Sequence, residues 1–353
     1  MNKPKKMPSG KWRVRVYLGK DEKGKQKFVS ITEPTRKDAQ RKAREVEETI
    51  RNGNDVANIT VGQAIEKYID LKSNILSPST IKGYRSMRRN NLQSLMHIPL
   101  IMLTNQDIQK AINIETVTHQ PKTVHNMHGL LASVIAVYRP ELILHTTLPK
   151  KQKRPKTIPS PEEVAQLLDV TRGTDMYTPV LLASMLSLRR SEVCGLKWDD
   201  IDLKTGKITV RHALVATEGG KYVLKSPKTY TSYRTLAMPP ILIDALEQTK
   251  DKTGYVIKMT PTAISCNFSK IIAQNGFDRF TFHSLRHFNA SVMLALNLPD
   301  KYAMERGGWA TPSVMKSVYQ HTFQSEQDKY DKLLIDYFNA LYPLAFDPNL
   351  TRK

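Results

Sequence analysis

Cysteine is almost missing from this chain: Cys194 and Cys266 are the only two in 353 residues. Two thiols cannot build the disulfide framework of a small secreted domain, and they suit a reducing compartment. Both lie in helical apolar patterns and are expected to be buried. Long apolar runs are missing as well. The uncharged, apolar-leaning run Met176 to Leu188 is too short to cross a bilayer. The opening Met-Asn-Lys-Pro-Lys-Lys has none of the apolar core of a secretory signal. There is no Gly-x-x-x-x-Gly-Lys-[Ser/Thr] loop, no His-Glu-x-x-His and no Cys-x-x-Cys. Nor is there a dense Asp/Glu cluster of the kind that holds two catalytic metals. Any chemistry is therefore expected to run on side chains alone, with no cofactor and no metal.

Acid is also in short supply. Against 54 Lys and Arg stand 33 Asp and Glu, a net charge of +21, while 40% hydrophobic residues suffice for real cores and exclude wholesale disorder. Such a surplus repels itself unless a polyanion neutralises it. A membrane surface would serve too, but no basic amphipathic helix with bulky apolar anchors accompanies the charge. The composition points to a soluble, intracellular protein that faces nucleic acid and no membrane.

The charge is densest at the start, where residues 1–28 hold ten basic and two acidic groups. Lys11 to Leu18 alternates strictly, placing Trp12, Val14, Val16 and Leu18 on one face and Lys11, Arg13, Arg15 and Tyr17 on the other. Period two with one basic face is a half-buried strand, and Gln26 to Ile31 is its hairpin partner. A helix over 36–51 follows, with Thr35 as N-cap, Asp38 three residues on and Gly53 as the stop. Residues 1–55 thus form a small sheet-plus-helix domain whose Arg13, Arg15 and Tyr17 face DNA.

Residues 56–147 have a helical pattern throughout. Thr60 with Gln63, and Thr104 with Asp107, start helices as capping boxes, and Ser77-Pro78 places proline at the first helical position. The four predicted helices are 61–73, 78–95, 105–114 and 121–137. Lys82, Arg85 and Arg89 share one face of the second with no acid near them in sequence, which favours phosphate contact. From 148 to 160, three prolines oppose a helix, and five of the seven residues from Lys150 to Lys156 are basic. Lys150, Lys151, Lys153 and Arg154 make this linker a tether able to follow a duplex backbone. Beyond it, residues 161–322 mix helices with short strands at 207–211, 222–224 and 233–238, and 323–353 form a terminal helix and tail. The class is α+β, mostly helical.

Candidate chemistry is spread along this last region. Leu188-Arg189-Arg190-Ser191-Glu192 leaves an amphipathic helix, and Ser226-Pro227-Lys228-Thr229 occupies a β-turn. His283-Ser284-Leu285-Arg286-His287 opens a helix, and Gly307-Gly308-Trp309 and Val318-Tyr319-Gln320-His321 follow. Singly, each is a chance-level motif. In this order and spacing they resemble the tyrosine recombinase (integrase) family of phages and conjugative transposons. Leu186 to Asp202 resembles its first box, and Thr281 to Phe288 with Gly308, Trp309 and Tyr319 its second. Three positions depart from the pattern. Ser187 replaces the usual Gly, Ser284 the usual Asp, and Trp309 stands where many members have His, keeping an N–H but unable to titrate.

The resemblance implies a site-specific recombinase with an arm-binding domain (1–55), a helical core-binding domain (56–147) and a catalytic domain (161–322). Integration and excision of a mobile element would proceed through a 3′-phosphotyrosine, without metal or ATP. Arg189 and Arg286 would hold the non-bridging phosphate oxygens, since two guanidinium forks bind bidentately where a lone Lys cannot. Tyr319 would be the nucleophile, with a phenol pKa of about 10 that requires a nearby acceptor, which His283 supplies. Lys228 would protonate the departing 5′-oxygen, although Lys221 and Lys225 compete for that part. Trp309 would hydrogen-bond the phosphate. Glu192, one turn from Arg189, is either a plain ion-pair partner or an outer support of the site; His287 and His321 are either supporting hydrogen-bond groups or catalytic ones.

The stripe Tyr330, Leu333, Leu334, Tyr337, Phe338 and Leu341 either packs on its own domain or docks on a neighbouring protomer. The implied partners are DNA at core and arm sites and a homotetramer on paired sites, with an excisionase or a host DNA-bending protein as an optional helper. A catalytically idle DNA-bridging relative and a swivelling type IB topoisomerase remain alternatives. The first would bind without a covalent adduct, and the second would relax arbitrary supercoiled DNA.

Overall fold

The computed structural model describes residues 3–20, 26–51, 59–151, 157–225, 233–313, 315 and 324–341. The chain forms two compact units, Met1–Lys153 and Arg154–Lys353, which divide inside the basic proline-containing run.

The first unit opens with a three-stranded antiparallel sheet of β1 (Lys5–Lys6), β2 (Trp12–Lys20) and β3 (Gln26–Glu33) in the order β1-β2-β3. Register pairs Val14 with Ile31 and Val16 with Val29, so the apolar residues of both long strands share the buried face. Helix α1 (Arg36–Arg51) covers that face with Ala39, Ala43 and Val46. The expected cap is present, Asp38 N donating to Thr35 Oγ1 at 3.1 Å. Strand β1 has no apolar alternation to announce it; its two lysines pair with Trp12 and Arg13 through the backbone. Ile101, from a 3-10 turn far along the chain, completes this small core.

Four helices follow: α2 (Val61–Lys72), α3 (Pro78–Asn90), α4 (Asn105–Thr118) and α5 (Pro121–Tyr138). Both predicted capping boxes form, at Thr60–Gln63 and Thr104–Asp107. Their core is aliphatic, with Ile65, Ile69, Ile108, Ile112 and Leu131 at 0–1% exposure. Helix α3 ends at Asn90 instead of 95 because the chain turns left-handed at Leu92 (φ 52°). The buried Glu115 holds that turn, accepting from Leu92 N at 2.6 Å and Asn91 Nδ2 at 3.1 Å.

The second unit begins with α6 (Pro161–Thr171), started by a Ser160–Glu163 capping box, then α7 (Tyr177–Leu186) and the short α8 (Arg190–Gly195). Strands β4 (Ile201–Asp202), β5 (Lys207–Val210) and β8 (Arg234–Ala237) make one antiparallel sheet, and β6 (Ala213–Ala216) and β7 (Tyr222–Lys225) a separate hairpin. Strands β4 and β6 lie outside the predicted set. Gly195 is required where α8 meets β6: a Cβ there would stand 2.9 Å from the His212 carbonyl oxygen. Helices α9 (Pro240–Glu247), α10 (Pro261–Gln274), α11 (Phe282–Ala295) and α12 (Asp300–Gly307) follow, and a last helix covers Gln324–Leu341. Helix α7 is apolar around most of its circumference and runs through the centre of the core, packed against α11.

Candidate active site

The site is built around the end of α7. Its last carbonyls lack intrahelical donors, as at any helix C-terminus, and side chains from two later helices supply them. Asn289 Nδ2 donates to Ser184 O at 2.8 Å and Met185 O at 3.0 Å, Arg306 Nη2 to Met185 O at 3.3 Å, and Arg286 Nη1 to Ser187 O. Ser187 itself is left-handed, φ 58°, and fully buried. That backbone is free of steric cost only for glycine, which explains why Gly is the usual residue here. The reversal tucks Leu188 into the core and delivers Arg189 to the N-cap of α8.

Arg189 is held by three hydrogen bonds and lines a cavity. Its Nη1 donates to Glu192 Oε1 at 2.6 Å, its Nη2 to Gly308 O at 2.9 Å, and its backbone N to Glu192 Oε2 at 2.9 Å. Glu192 thus forms the ion pair with Arg189, and it also reaches further. Arg234 Nη2 donates to its Oε2 at 2.9 Å, and both of those side chains are buried. Burial raises the Glu192 pKa, but the Arg234 and Arg189 charges outweigh it and hold the carboxyl at about 2.

Arg286, which follows His283 by one turn on α11, is only 3% exposed. Its guanidinium lies over the Trp309 ring, 4.7 Å from the centroid. Burial and the nearby Arg189 charge push its pKa below the ordinary guanidinium value, against the pull of Glu192. Its Nη2 is buried without a hydrogen-bond partner among the described residues. A buried donor so placed costs about 1–3 kcal/mol, and more when charged.

Trp309 is held by its neighbours. A Cβ on Gly307 would lie 2.0 Å from the indole, so only glycine leaves room for the ring. Gly308 caps α12 at φ 63°. His283 is exposed and His287 buried, their rings perpendicular with centroids 4.8 Å apart. A cavity of about 440 Å³ opens beside the pair, lined by Arg189, Arg190, Ser265, Thr281 and His283 among others. The structure thus brings Arg189, Glu192, Arg286 and Trp309 together, with His283 at the cavity wall and His287 against it. Lys228, Tyr319 and His321 lie outside the described residues.

Arg234 was not singled out from the sequence, although its signal is there. Period two along β8 puts Arg234, Leu236 and Met238 on one buried face, and a cation among apolar residues requires a buried acid. Cys194 is buried, its pKa raised to about 12 by burial despite Arg190. Cys266 corrects the expectation: it is exposed, because α10 turns Ile264, Phe268 and Ile272 inward and leaves Cys266 on the opposite side. Among the described residues, no group of three or more His, Cys, Asp or Glu is placed to hold a metal ion, and no helix is long and apolar enough to cross a membrane.

The remaining basic candidates belong to the first unit. Arg13 and Arg15 lie on the outer face of the sheet, and with Lys3, Lys5 and Lys6 they line an open basin of about 800 Å³. Arg15 stacks over Phe28 at 4.7 Å, and Tyr17 packs on the same ring at 5.4 Å. Lys82 and Arg89 are exposed on α3. Arg85 is a correction, since acids absent from its own helix reach it from α2: Asp70 at 3.2 Å and Glu66 at 3.9 Å. Lys150 and Lys151 are exposed, while Lys153 and Arg154 lie outside the described residues.

Residues 159–326 match the model of the phage integrase family. A tyrosine recombinase XerC-like protein of Caldanaerobacter subterraneus subsp. tengcongensis is 25% identical over 93% of this chain and 96% of its own. The tyrosine recombinase XerA of Thermococcus kodakarensis is 28% identical over 65% of this chain and 87% of its own. In fold, the chain is similar to the Tn1549 transposon integrase in complex with a circular intermediate DNA, at 19% identity, with a TM-score of 0.66 over 78% of this chain and all of that one. It is also similar to a lambda integrase tetramer bound to a Holliday junction, at 17% identity, with a TM-score of 0.56 over 88% of this chain and 96% of that one. The family match spans the whole arginine cluster and the Gly-Trp turn, and a tyrosine recombinase relative aligns along nearly its full length; residues 159–326 form a phage integrase family domain.

Proposed function

We propose that this protein is a site-specific DNA recombinase that integrates and excises a mobile element, cutting and rejoining DNA through a covalent bond to Tyr319. The observation that carries this reading is the Nη2 of Arg286, buried without a hydrogen-bond partner among the described residues and within the field of Arg189, which itself lines an open cavity. A buried guanidinium donor with no acceptor calls for an anion, and a phosphodiester at the cavity supplies one with the right fork geometry. Arg189, already fixed by Glu192 and Gly308, presents the second fork with little reorganisation.

In the reaction, the Tyr319 phenol oxygen attacks phosphorus and its proton passes to His283. The bond to the 5′-oxygen breaks, and Lys228 protonates that oxygen as it leaves. One phosphoester bond forms for each that breaks, so rejoining by the 5′-hydroxyl needs no ATP. Arg189 and Arg286 stabilise the charge on the five-coordinate phosphorus, and Trp309 supports Arg286 from below and offers its N–H to the phosphate. These roles require no metal ion.

The domains divide the DNA between them. The basic basin of the N-terminal sheet would take arm sites, the helical region with Lys82 and Arg89 the core site, and the basic linker would track the backbone between them. On the last helix, Leu333, Leu334, Tyr337 and Phe338 are 52–61% exposed, which favours docking on a neighbouring protomer in a tetramer. The lambda integrase tetramer bound to a Holliday junction supports assembly as a tetramer on DNA.

A nicked duplex carrying the core site tests the chemistry. It is expected to trap a covalent complex in EDTA, and Tyr319→Phe is expected to abolish the trap while DNA binding stays intact. An adduct that survives Tyr319→Phe, or that requires Mg2+, overturns the assignment.

A further inference from the structure

We propose that Arg234 is a positioning residue that locks the first arginine and the Gly-Trp turn into one frame, an inference that rests on the recombinase reading of this site. Arg234 opens β8 directly after the stretch that contains Lys228. Its Nε donates to Arg306 O at 3.0 Å and its Nη2 to Glu192 Oε2 at 2.9 Å. Glu192 Oε1 receives Arg189 Nη1 at 2.6 Å, and Arg189 Nη2 returns to Gly308 O at 2.9 Å. The result is a closed circuit. Two guanidiniums and one carboxylate bridge the carbonyls of residues 306 and 308, on either side of the glycine that seats Trp309.

Fold stability alone does not account for this arrangement. Buried ion pairs gain little over apolar residues of the same shape, since desolvation offsets the attraction. The charge is also unbalanced: Arg189, Arg234 and Arg286 surround the single carboxylate of Glu192. Three cations around one acid are mutually repulsive until an anion joins them. Arg234 is buried and is not among the residues that line the cavity beside Arg189; its Nε and Nη2 serve orientation. An ammonium at this position cannot reach both Glu192 and the Arg306 carbonyl with fixed geometry.

The charged groups facing Glu192 from the elements packed on it are Arg189, Arg234 and Arg286. Removing Arg234 takes away the strongest attraction and leaves burial in place, so the carboxyl is expected to protonate at a higher pH. The full chain is tested in two ways, with Arg234→Met and the charge-retaining Arg234→Lys. In the first, the Glu192 carboxyl is titrated by carbon-13 NMR, with Glu192→Gln assigning the resonance. Its midpoint is expected to move from about 2 to or above the ordinary value of about 4.3 in Arg234→Met.

In the second, single-turnover cleavage of the nicked duplex is expected to fall about a hundredfold in Arg234→Met and about tenfold in Arg234→Lys, with core-site Kd changed less than threefold. The Arg234→Met rate is also expected to fall further as pH drops through the raised midpoint, a limb that Arg234→Met/Glu192→Gln lacks. An unmoved carboxylate midpoint overturns the proposal, as does wild-type cleavage in a folded Arg234→Lys. If the wild type forms no adduct while the midpoint shifts as expected, the frame stands and the recombinase reading fails.

Discussion

Two basic regions of this molecule hold their charge in opposite ways. On the outer face of the N-terminal sheet, Arg13, Arg15, Lys3, Lys5 and Lys6 line an open basin in contact with water. In the second unit, Arg286, Arg234 and Glu192 are buried, and Arg189 and Arg234 are held on Glu192 by hydrogen bonds of fixed geometry. Exposed charges act through a screened field, so their contributions add and the identity of each cation matters little. Buried charges act through geometry, so one fork in one orientation carries the effect. The first arrangement suits grip along a polyanion. The second suits work on a single phosphate.

Conservative exchange between the two cations separates these regimes. Arg286→Lys or Arg189→Lys is expected to lower single-turnover cleavage by about 10² to 10³, the usual loss when one preorganised donor to a developing oxyanion is removed. Cleavage within tenfold of wild type in both variants would mean the forks are not the catalytic element. The same exchange on the sheet, Arg13→Lys with Arg15→Lys, is expected to leave arm-duplex binding within about threefold, because charge is kept. Arg13→Ala with Arg15→Ala is expected to lower the slope of log K against log salt by about 2, near 0.9 for each lost phosphate contact. Binding curves at four salt concentrations check this; a sheet as sensitive to Lys as to Ala would erase the distinction.

How much of each region was legible in the sequence follows from the same contrast. The sheet face could be read directly, because alternation over Lys11 to Leu18 is a local pattern and burial of Val14 and Val16 fixes it. Capping boxes at Thr60 and Thr104 were equally local. Strand β1 was not, since two lysines joined by backbone bonds leave no side-chain period. In the cluster, Arg189 and Arg286 were found through order and spacing, but their wiring was not. Arg234 lies 42 residues from Glu192, and the carbonyls of Arg306 and Gly308 carry no sequence signal at all. The acids that meet Arg85 also come from another helix, which a single-helix wheel does not show.

Ser187 is the point where a departure visible in the sequence acquires a physical cost. Its φ of 58° places a Cβ against the following carbonyl, a strain of roughly 1–2 kcal/mol that glycine avoids. Its Oγ is also buried without a partner among the described residues, a further cost of about 1 kcal/mol or more. Against these, glycine loses about 0.5–1 kcal/mol of chain entropy on folding, and the small side chain gives up some packing. Ser187→Gly is therefore expected to stabilise the second unit by about 1 kcal/mol, read as a higher denaturation midpoint with unchanged m-value. The Ser187 carbonyl that Arg286 grips is backbone and survives the change, so the gain arises without rewiring the cluster. A neutral or destabilising result would mean that the hydroxyl finds an acceptor at this turn, and that the reversal before Arg189 is held by more than backbone geometry.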